Sequence, residues 1–221
     1  MRIAVTFTVL ALSHPALADD CDDDCSAVGK RMWPSLAVGW VSDAFDPSGH
    51  TFTETHPGYA NQIGQVEGNG LAPVRGDGVF LDVRLHVTAH WYAGVDLRVA
   101  WADPPGVTFV SRGGTAMAWD SAMLFTMAGV VGARLPLGRV SLRGELVGGI
   151  HGATLQAMTS APNTIVAEAD AALVGSRLAA DVWLSRNCVV EAFAGSNLLA
   201  PSDHVFGIGA GFNWQASDFR R

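Results

Sequence analysis

The chain has 221 residues, a formal net charge of −7 at pH 7 and a charged fraction of only 16%. An acidic chain is a poor partner for nucleic acid, because phosphate binding requires a basic surface. The charged fraction also lies below the roughly 25% of soluble domains, so charged side chains are too few to cover an ordinary soluble surface.

The N-terminus predicts export from the cytoplasm. Residues 1–18 combine a positive charge at Arg2, an apolar run over residues 3–12 and a small-residue cleavage pattern at residues 16–18, which together are typical of a secretory signal peptide. The apolar run is too short for a transmembrane helix, which needs about 20 residues. We therefore expect a mature chain of about 200 residues, enough for one domain.

An acidic segment, residues 19–33, follows the signal peptide and is expected to be a solvated periplasmic leader. It carries Cys21 and Cys25, which an oxidising compartment favours as a disulfide. Pairing of one of them with Cys188 is the alternative, and the sequence does not decide between the two.

The stretch from Val79 to Trp101 has the clearest periodicity in the chain. Apolar side chains occupy every second position, and the positions between them carry polar or charged groups from Asp82 to His90 and again at Asp96 and Arg98. Successive side chains of a strand point to opposite faces, so the pattern predicts a hairpin with one apolar and one charged face. Both halves keep the same phase, which predicts a three-residue turn at residues 91–93.

Eight segments are predicted as strands that span a membrane. In chain order they are Pro34–Phe45, Val79–Trp91, Ala93–Ala102, Met123–Leu135, Arg139–Thr154, Val166–Trp183, Cys188–Leu198 and Val205–Trp214. In the sixth, the charged residues Glu168, Asp170, Arg177 and Asp181 do not share one face, which predicts either a bulge or a strand that extends beyond the membrane.

The predicted connections alternate in length. Tight turns are expected at residues 91–93, 136–138 and 184–187, and longer loops at residues 46–78, 103–122, 155–165 and 199–204. Short turns at one end and long loops at the other are typical of an outer-membrane barrel, whose periplasmic turns are short. An even strand number then puts both termini on the periplasmic side.

Six tryptophans map to the ends of the predicted strands. Trp33, Trp91, Trp183 and Trp214 fall at the periplasmic ends, and Trp101 and Trp119 fall near the outer ends. An indole ring is favoured at a membrane interface, so these positions predict an aromatic girdle at each side. Together with the low charge, this favours lipid outside the barrel; a soluble lipocalin-like barrel would have the reverse polarity.

The last segment, Phe206-Gly-Ile-Gly-Ala-Gly-Phe-Asn-Trp214, alternates apolar residues and ends in an aromatic. In this it resembles the C-terminal strand of the small eight-stranded outer-membrane barrels of Gram-negative bacteria, the class typified by the OmpA transmembrane domain and OmpX. The resemblance covers residues 34–214 and rests on architecture. One departure is that residues 215–221 follow the closing aromatic, as a short periplasmic tail.

The resemblance implies an all-β fold, an eight-stranded antiparallel up-and-down transmembrane β-barrel in the bacterial outer membrane. It implies a monomer that contacts outer-membrane lipid and lipopolysaccharide, and that depends on the barrel-insertion machinery during assembly. Neither nucleic acid nor a cofactor is expected as a partner. The role that it favours is structural or interactive at the cell envelope, with the outer loops as the recognition surface.

A charged lumen is predicted from the polar faces of the strands. Its expected members are Asp82, Arg84, His86, His90, Asp96, Arg98, Arg134, Arg143, Glu145, His151, Arg177, Asp181 and Glu191. An eight-stranded barrel is just wide enough for side chains to fill, and buried charges must pair, so these residues predict a polar plug. A narrow, gated path for ions or small solutes through the same network is the alternative.

No catalytic, cofactor or metal site is predicted. His86 and His90 would stand about 13 Å apart along a strand, too far to share one zinc. A lipid A-modifying enzyme is a further alternative, since the first loop offers Ser48, His50, Glu54 and His56. The His-x-Ser-Asn motif of lipid A deacylases is not matched, because Ser196-Asn197 has no histidine two residues before the serine.

Overall fold

The computed structural model describes residues 32–55, 64–67, 72–104, 108–110, 116–158, 164–185 and 187–214. Its strands are β1 Trp33–Phe45, β2 Thr51–Thr55, β3 Gly64–Glu67, β4 Val74–His86, β5 Trp91–Ala102, β6 Thr108–Val110, β7 Ala116–Ala118, β8 Ser121–Leu137, β9 Val140–Met158, β10 Thr164–Trp183, β11 Cys188–Asn197 and β12 His204–Asn213. No helix in these ranges is long and apolar enough to cross a membrane. The predicted signal peptide, Cys21 and Cys25 lie outside the described residues.

Eight of these strands form one closed antiparallel sheet. β1 pairs with β4, the order continues through β5, β8, β9, β10, β11 and β12, and β12 pairs back with β1. Closure leaves no exposed strand edge along most of the wall. The predicted eight-stranded up-and-down barrel is therefore confirmed, with each predicted segment matching one barrel strand.

The two ends of the barrel differ. One end, here the turn end, carries the first and last barrel residues and three tight connections, at residues 87–90, 138–139 and 184–187. The other, the loop end, carries the long connections, which contain the β2–β3 and β6–β7 hairpins. Gly138 adopts φ 68°, the left-handed conformation that a two-residue hairpin turn requires.

The predicted turn at residues 91–93 is wrong by about four positions. The chain reverses at residues 87–90, and β5 already begins at Trp91. The Thr88 hydroxyl accepts hydrogen bonds from the backbone N–H groups of His90 (3.1 Å) and Trp91 (3.0 Å), which closes the turn locally. Apolar periodicity alone did not reveal this side-chain contact.

Side chains alternate between the two faces of the wall, as the period of two requires. In β4 all 13 positions alternate between buried and exposed. The exposed positions are apolar: Leu146 is 67% exposed and Leu178 75% exposed, whereas Glu145 and Arg177 beside them are buried. The barrel thus has an apolar exterior and a polar interior, the reverse of a soluble protein.

β10 has 20 residues and is twice as long as its neighbour β11. Its pairing with β9 keeps one register from Thr164↔Met158 to Val182↔Val140, so no bulge occurs there. The strand instead extends past the end of β11 and pairs with β2. This explains the mixed parity in its sequence: Arg177 points inward, and Asp170 lies on the outer face of the extension.

The first long loop is partly a folded element. Its β2–β3 hairpin is held to β10 through Val166↔Thr55, Ala167↔Glu54 and Glu168↔Thr53. Phe52 from β2 is fully buried in an apolar core at the loop end, with Phe45, Val74, Trp119, Leu124 and Leu155. The hairpin therefore covers the loop end of the barrel.

Candidate functional site: the filled lumen

The centre of the lumen is a network of ion pairs. Within the described residues it joins four arginines to six carboxylates: Arg84, Arg98, Arg143 and Arg177, and Asp43, Asp82, Asp96, Glu145, Asp181 and Glu191. All ten are buried. They lie on inward positions of six strands, so the network crosses the whole width of the barrel.

Arg143 and Arg84 organise the half of the network nearer the turn end. Arg143 binds Glu145 at 2.7 Å, Asp181 at 3.0 Å and Glu191 at 2.9 Å. Arg84 binds both oxygens of the same Glu191 carboxylate with its two terminal nitrogens, at 2.8 and 3.0 Å. Two parallel hydrogen bonds from one guanidinium to one carboxylate fix the relative orientation of the two groups as well as pairing their charges.

Arg177 and Arg98 continue the network towards the loop end. Arg177 binds Asp82 at 2.8 Å, Asp96 at 3.0 Å and Glu145. Arg98 then joins Asp96 at 3.3 Å to Asp43 at 3.0 Å. Because each arginine shares a carboxylate with another, the ion pairs form one continuous set from Asp181 to Asp43.

The network is over-supplied with acid, having six carboxylates for four guanidiniums. Unpaired charge in a water-poor interior is costly, so other donors are needed. Tyr92 donates its hydroxyl to Glu145 at 2.5 Å, Thr126 donates to Asp43 at 3.3 Å and Ser141 donates to Asp181 at 3.1 Å. These neutral donors offset part of the excess negative charge.

Two phenylalanines fill the space beside the network. Phe80 and Phe193 meet edge to face with ring centroids 5.0 Å apart, and the Arg177 guanidinium lies 4.4 Å from the centre of the Phe193 ring. A Cβ on Gly207 would come within 2.3 Å of that ring. The inward glycine of β12 therefore creates the space in which Phe193 lies.

Aromatic rings close the turn end of the lumen. Trp33 stacks on His86 with centroids 5.0 Å apart and planes 5° from parallel. On the opposite wall, Trp183 donates its indole N–H to Ser141 at 3.2 Å. The Arg134 guanidinium lies 5.0 Å from the centre of the Trp183 ring. The charged network is thus separated from the turn end by rings and by one partly buried cation.

A small cavity lies beside the network, lined by some of its charged residues and by apolar side chains such as Val147 and Leu173. Its volume is about 20 Å³, room for a single water molecule. Asp96, Arg98 and His151 are among its lining residues, and within the described residues Asp96 Oδ1, Arg98 Nε and His151 Nε2 make no hydrogen bond. The His151 ring also lies 3.9 Å from Asp43 and 3.9 Å from Asp203.

The base of the first loop is tied to the last loop by Asp46 and Asp203. Asp203 accepts a hydrogen bond from the backbone N–H of Asp46 at 2.6 Å, and Ser202 donates to the Asp46 carboxylate at 2.6 Å. Ser48 donates to the same carboxylate. The Ser202 hydroxyl, followed by Ser48, holds the pKa of Asp46 below its ordinary value of 3.8. We name Asp46, Ser48, Ser202 and Asp203 the loop clamp.

Two of the predicted lumen residues lie elsewhere. His90 is exposed in the tight turn, where its ring contacts the backbone oxygen of Arg134, because β4 ends at His86 and does not carry the alternation further. Arg134 is only partly buried, at the turn end. The other eleven are buried inside the barrel: Asp82, Arg84, His86, Asp96, Arg98, Arg143, Glu145, His151, Arg177, Asp181 and Glu191.

The predicted tryptophan girdle is wrong at three of its six positions. Trp91, Trp101 and Trp214 are exposed on the outer surface. Trp33 and Trp119 are buried, and Trp183 is partly buried with its indole bonded inside the barrel. These three fall on the inward parity of the wall or in the core at the loop end, which position along a strand does not reveal.

Asp43 and Tyr92 are lumen residues that were not predicted from the sequence. Asp43 follows the inward positions Ser35, Ala37 and Val41, which carry no charge, so β1 gave little sign of a charged face. Tyr92 was assigned to a turn. Strand parity could have found both: Asp43 lies on the inward parity of the predicted first strand, and Tyr92 lies one residue before the predicted third strand, on the parity of Asp96.

The remaining candidate residues are those of the first loop and Cys188. The His50 ring packs 5.3 Å from Phe45, and Ser48 is bonded to Asp46. His56 lies outside the described residues, as does the side chain of Glu54. Cys188 is exposed at the start of β11, at the turn end.

Comparison with known proteins shows which fold this chain shares. No model of a protein family matches the sequence, and no curated protein matches it. Among solved structures, the chain is similar to the outer membrane protein OprG from Pseudomonas aeruginosa, with a TM-score of 0.51 and 11% identity over 86% of this chain and 99% of that chain. Neisserial surface protein A gives a TM-score of 0.50 and 7% identity over 84% and 99%. Identities this low show a shared fold, that of small outer-membrane barrels.

Proposed function

We propose that this chain is an outer-membrane protein whose filled lumen makes it a rigid scaffold, with a structural or surface-interaction role carried by its loop end. The observation that carries the proposal is the reversed polarity of the wall. Leu146 and Leu178 are exposed while the ten charged residues of the network are buried. Such a surface is stable in lipid, where an apolar exterior is required and backbone groups must pair within the sheet.

The scaffold role is supported by how the interior is filled. The Trp33–His86 stack fills the turn end. The ion-pair network fills the centre, with the Phe80–Phe193 pair beside it, and the apolar core around Phe52 fills the loop end. Side chains held in a continuous set of ion pairs cannot move singly without leaving a buried charge unpaired. The loop end, with its folded hairpin, is then the surface available to partners.

A narrow pore is the second candidate function. The observation that favours it is the water-sized cavity beside His151, together with one oxygen each of Asp82 and Asp96 that makes no hydrogen bond within the described residues. Ions can cross the barrel through such water only if the rings of Trp33, His86 and Trp183 at the turn end move apart. Conductance therefore separates the two candidates.

The test combines localisation with conductance. The expressed protein is expected in the outer-membrane fraction, migrating faster on gels before boiling than after it, as a closed barrel does. Reconstituted in planar bilayers, it is expected to add no steps of ion current above the background. Reproducible steps would favour the pore. Recovery in the soluble periplasm without detergent would contradict both candidates.

A further inference from the structure

A groove opens on the outer surface of the barrel near the loop end. It has a volume of about 340 Å³. Its lining includes side chains of the adjacent strands β1, β4 and β5 and of Asp103, which follows β5: Ser42, Arg75, Asp77, Trp101 and Asp103. We name these five residues the rim groove. They lie on the outer face and take no part in the lumen network.

The rim groove begins where the apolar exterior ends. Trp40, Val79 and Val99 are register partners across β1, β4 and β5 and form an apolar outward row. Two residues further along the same strands the partners are Ser42, Asp77 and Trp101. The strand rise puts these rows about 7 Å apart. In a membrane-spanning barrel the groove therefore faces the headgroup layer of the outer leaflet.

The side chains of the groove are available to a ligand. Trp101 is 61% exposed, and Arg75, Asp77 and Asp103 are exposed as well. Within the described part of the chain no ion pair joins Arg75 to either carboxylate. Charged groups so close together without pairing keep their donors and acceptors open to hydrogen bonds from outside.

The chemistry of the groove suits a sugar ring. The face of an indole carries negative potential, so it attracts the C–H groups on the apolar face of a pyranose. Carboxylates accept hydrogen bonds from hydroxyl groups, and a guanidinium donates them. Two carboxylates for one guanidinium disfavour a bare phosphate as the main ligand, because the net charge of the three groups is negative.

We propose that the rim groove binds a sugar of a glycolipid headgroup in the outer leaflet, with Trp101 stacked on the ring, Asp77 and Asp103 accepting from its hydroxyls and Arg75 donating to its oxygens. This inference rests on the proposed outer-membrane location. A lipid-linked sugar is favoured over a free one because the apolar row of Trp40, Val79 and Val99 holds the acyl chains beside the groove, which raises the effective concentration of the headgroup.

The experiment uses the full mature chain in detergent, with purified rough lipopolysaccharide and its delipidated core oligosaccharide as probes and native mass spectrometry as the readout. Trp101→Ala is expected to weaken glycolipid binding roughly tenfold, the loss of one stacking contact and its neighbours, and Asp77→Asn is expected to weaken it too. Trp91→Ala is the matched control, because Trp91 is 58% exposed at the opposite end of the barrel. It is expected to bind as the wild type does.

Equal affinity of Trp101→Ala and the wild type would overturn the site. Equal affinity of the free oligosaccharide and the glycolipid would overturn the lipid-linked source. The heat-dependent gel shift is read on the same samples. If the gel shift is present and the Trp101 variant binds normally, only the rim groove is contradicted. If the wild type shows no gel shift, the proposed membrane role is contradicted.

Discussion

At the scale of single residues, Arg177 is central to the interior. Its guanidinium contacts Asp82 of β4, Asp96 of β5 and Glu145 of β9, while its own strand is β10. Four of the eight wall strands therefore meet through one side chain. Without it, three buried carboxylates would face one another with only Arg84, Arg98 and Arg143 left to share.

Replacement of Arg177 by methionine keeps an unbranched, flexible side chain and removes the guanidinium with its charge. We expect the variant to lose about 3–5 kcal/mol of unfolding free energy, the range seen when one partner of a buried ion pair is removed. Urea unfolding of the barrel in phospholipid vesicles measures this loss. Arg75→Met is the control: Arg75 is exposed, so its loss should stay within about 0.5 kcal/mol. Equal unfolding midpoints for the two variants would contradict the role given to Arg177.

Individual lumen residues could be predicted only as far as strand parity reached. Arg84, Glu145 and Glu191 follow from the polar face of long alternating segments. His90 and Tyr92 do not, because the Thr88 hydroxyl accepts two backbone hydrogen bonds that place the turn at residues 87–90. The partners within the network could not be predicted either, since they depend on the register between strands, which a single sequence does not give.

At the scale of elements, the loops of the barrel are anchored to one another. The loop clamp joins the end of β1 to the connection between β11 and β12. Beyond it, β2 pairs with the long extension of β10. Backbone pairing between β2 and β10 thus holds one side of the loop end, and the Asp46 and Asp203 carboxylates of the loop clamp hold the other.

The Asp46 carboxylate makes the loop clamp sensitive to acid. Its folded pKa is lowered, chiefly by the Ser202 hydroxyl, so the contact is present above the ordinary pKa of 3.8 and is lost as the pH falls through the folded value. Ser202→Ala removes the largest cause and should move the pKa of Asp46 upward, towards 3.8. The carboxyl carbon signal of Asp46, followed by NMR between pH 2 and 6, measures it.

The control for this titration is Ser185→Ala, a serine of the tight turn between β10 and β11 at the opposite end. It should leave the pKa of Asp46 unchanged. The same pKa in the Ser202→Ala variant and the wild type would contradict the loop clamp.

The order of the barrel strands could be predicted from the sequence, whereas the fold of the loops could not. Alternation and the spacing of the turns are local signals, and they placed each barrel strand within a few residues except β4, whose start at Val74 lies five residues earlier than expected. The pairing of β2 with β10 joins residues more than 100 positions apart. Nothing local in the sequence of Thr51–Thr55 indicates that partner.

At the scale of the whole molecule, sequence and structure agree on a barrel whose polarity is reversed. Period-two alternation is compatible with either face inside, so the low charge of the chain was needed to choose between them. The tryptophan pattern supported the same choice, although only Trp91, Trp101 and Trp214 of its six members are exposed on the outer surface. The filled interior then favours a scaffold over a channel.

The most direct test of the account is the environment of the outward leucines. A nitroxide spin label at Leu178→Cys, with the native cysteines replaced and the protein in lipid vesicles, reports contact with lipid through collisions with oxygen. A label at His90→Cys, in the exposed tight turn, serves as the aqueous reference. We predict frequent collisions with oxygen and few with a polar nickel reagent at position 178, and the reverse at position 90. Frequent collisions with the nickel reagent at position 178 would mean that the apolar face does not meet lipid, and would contradict the outer-membrane barrel.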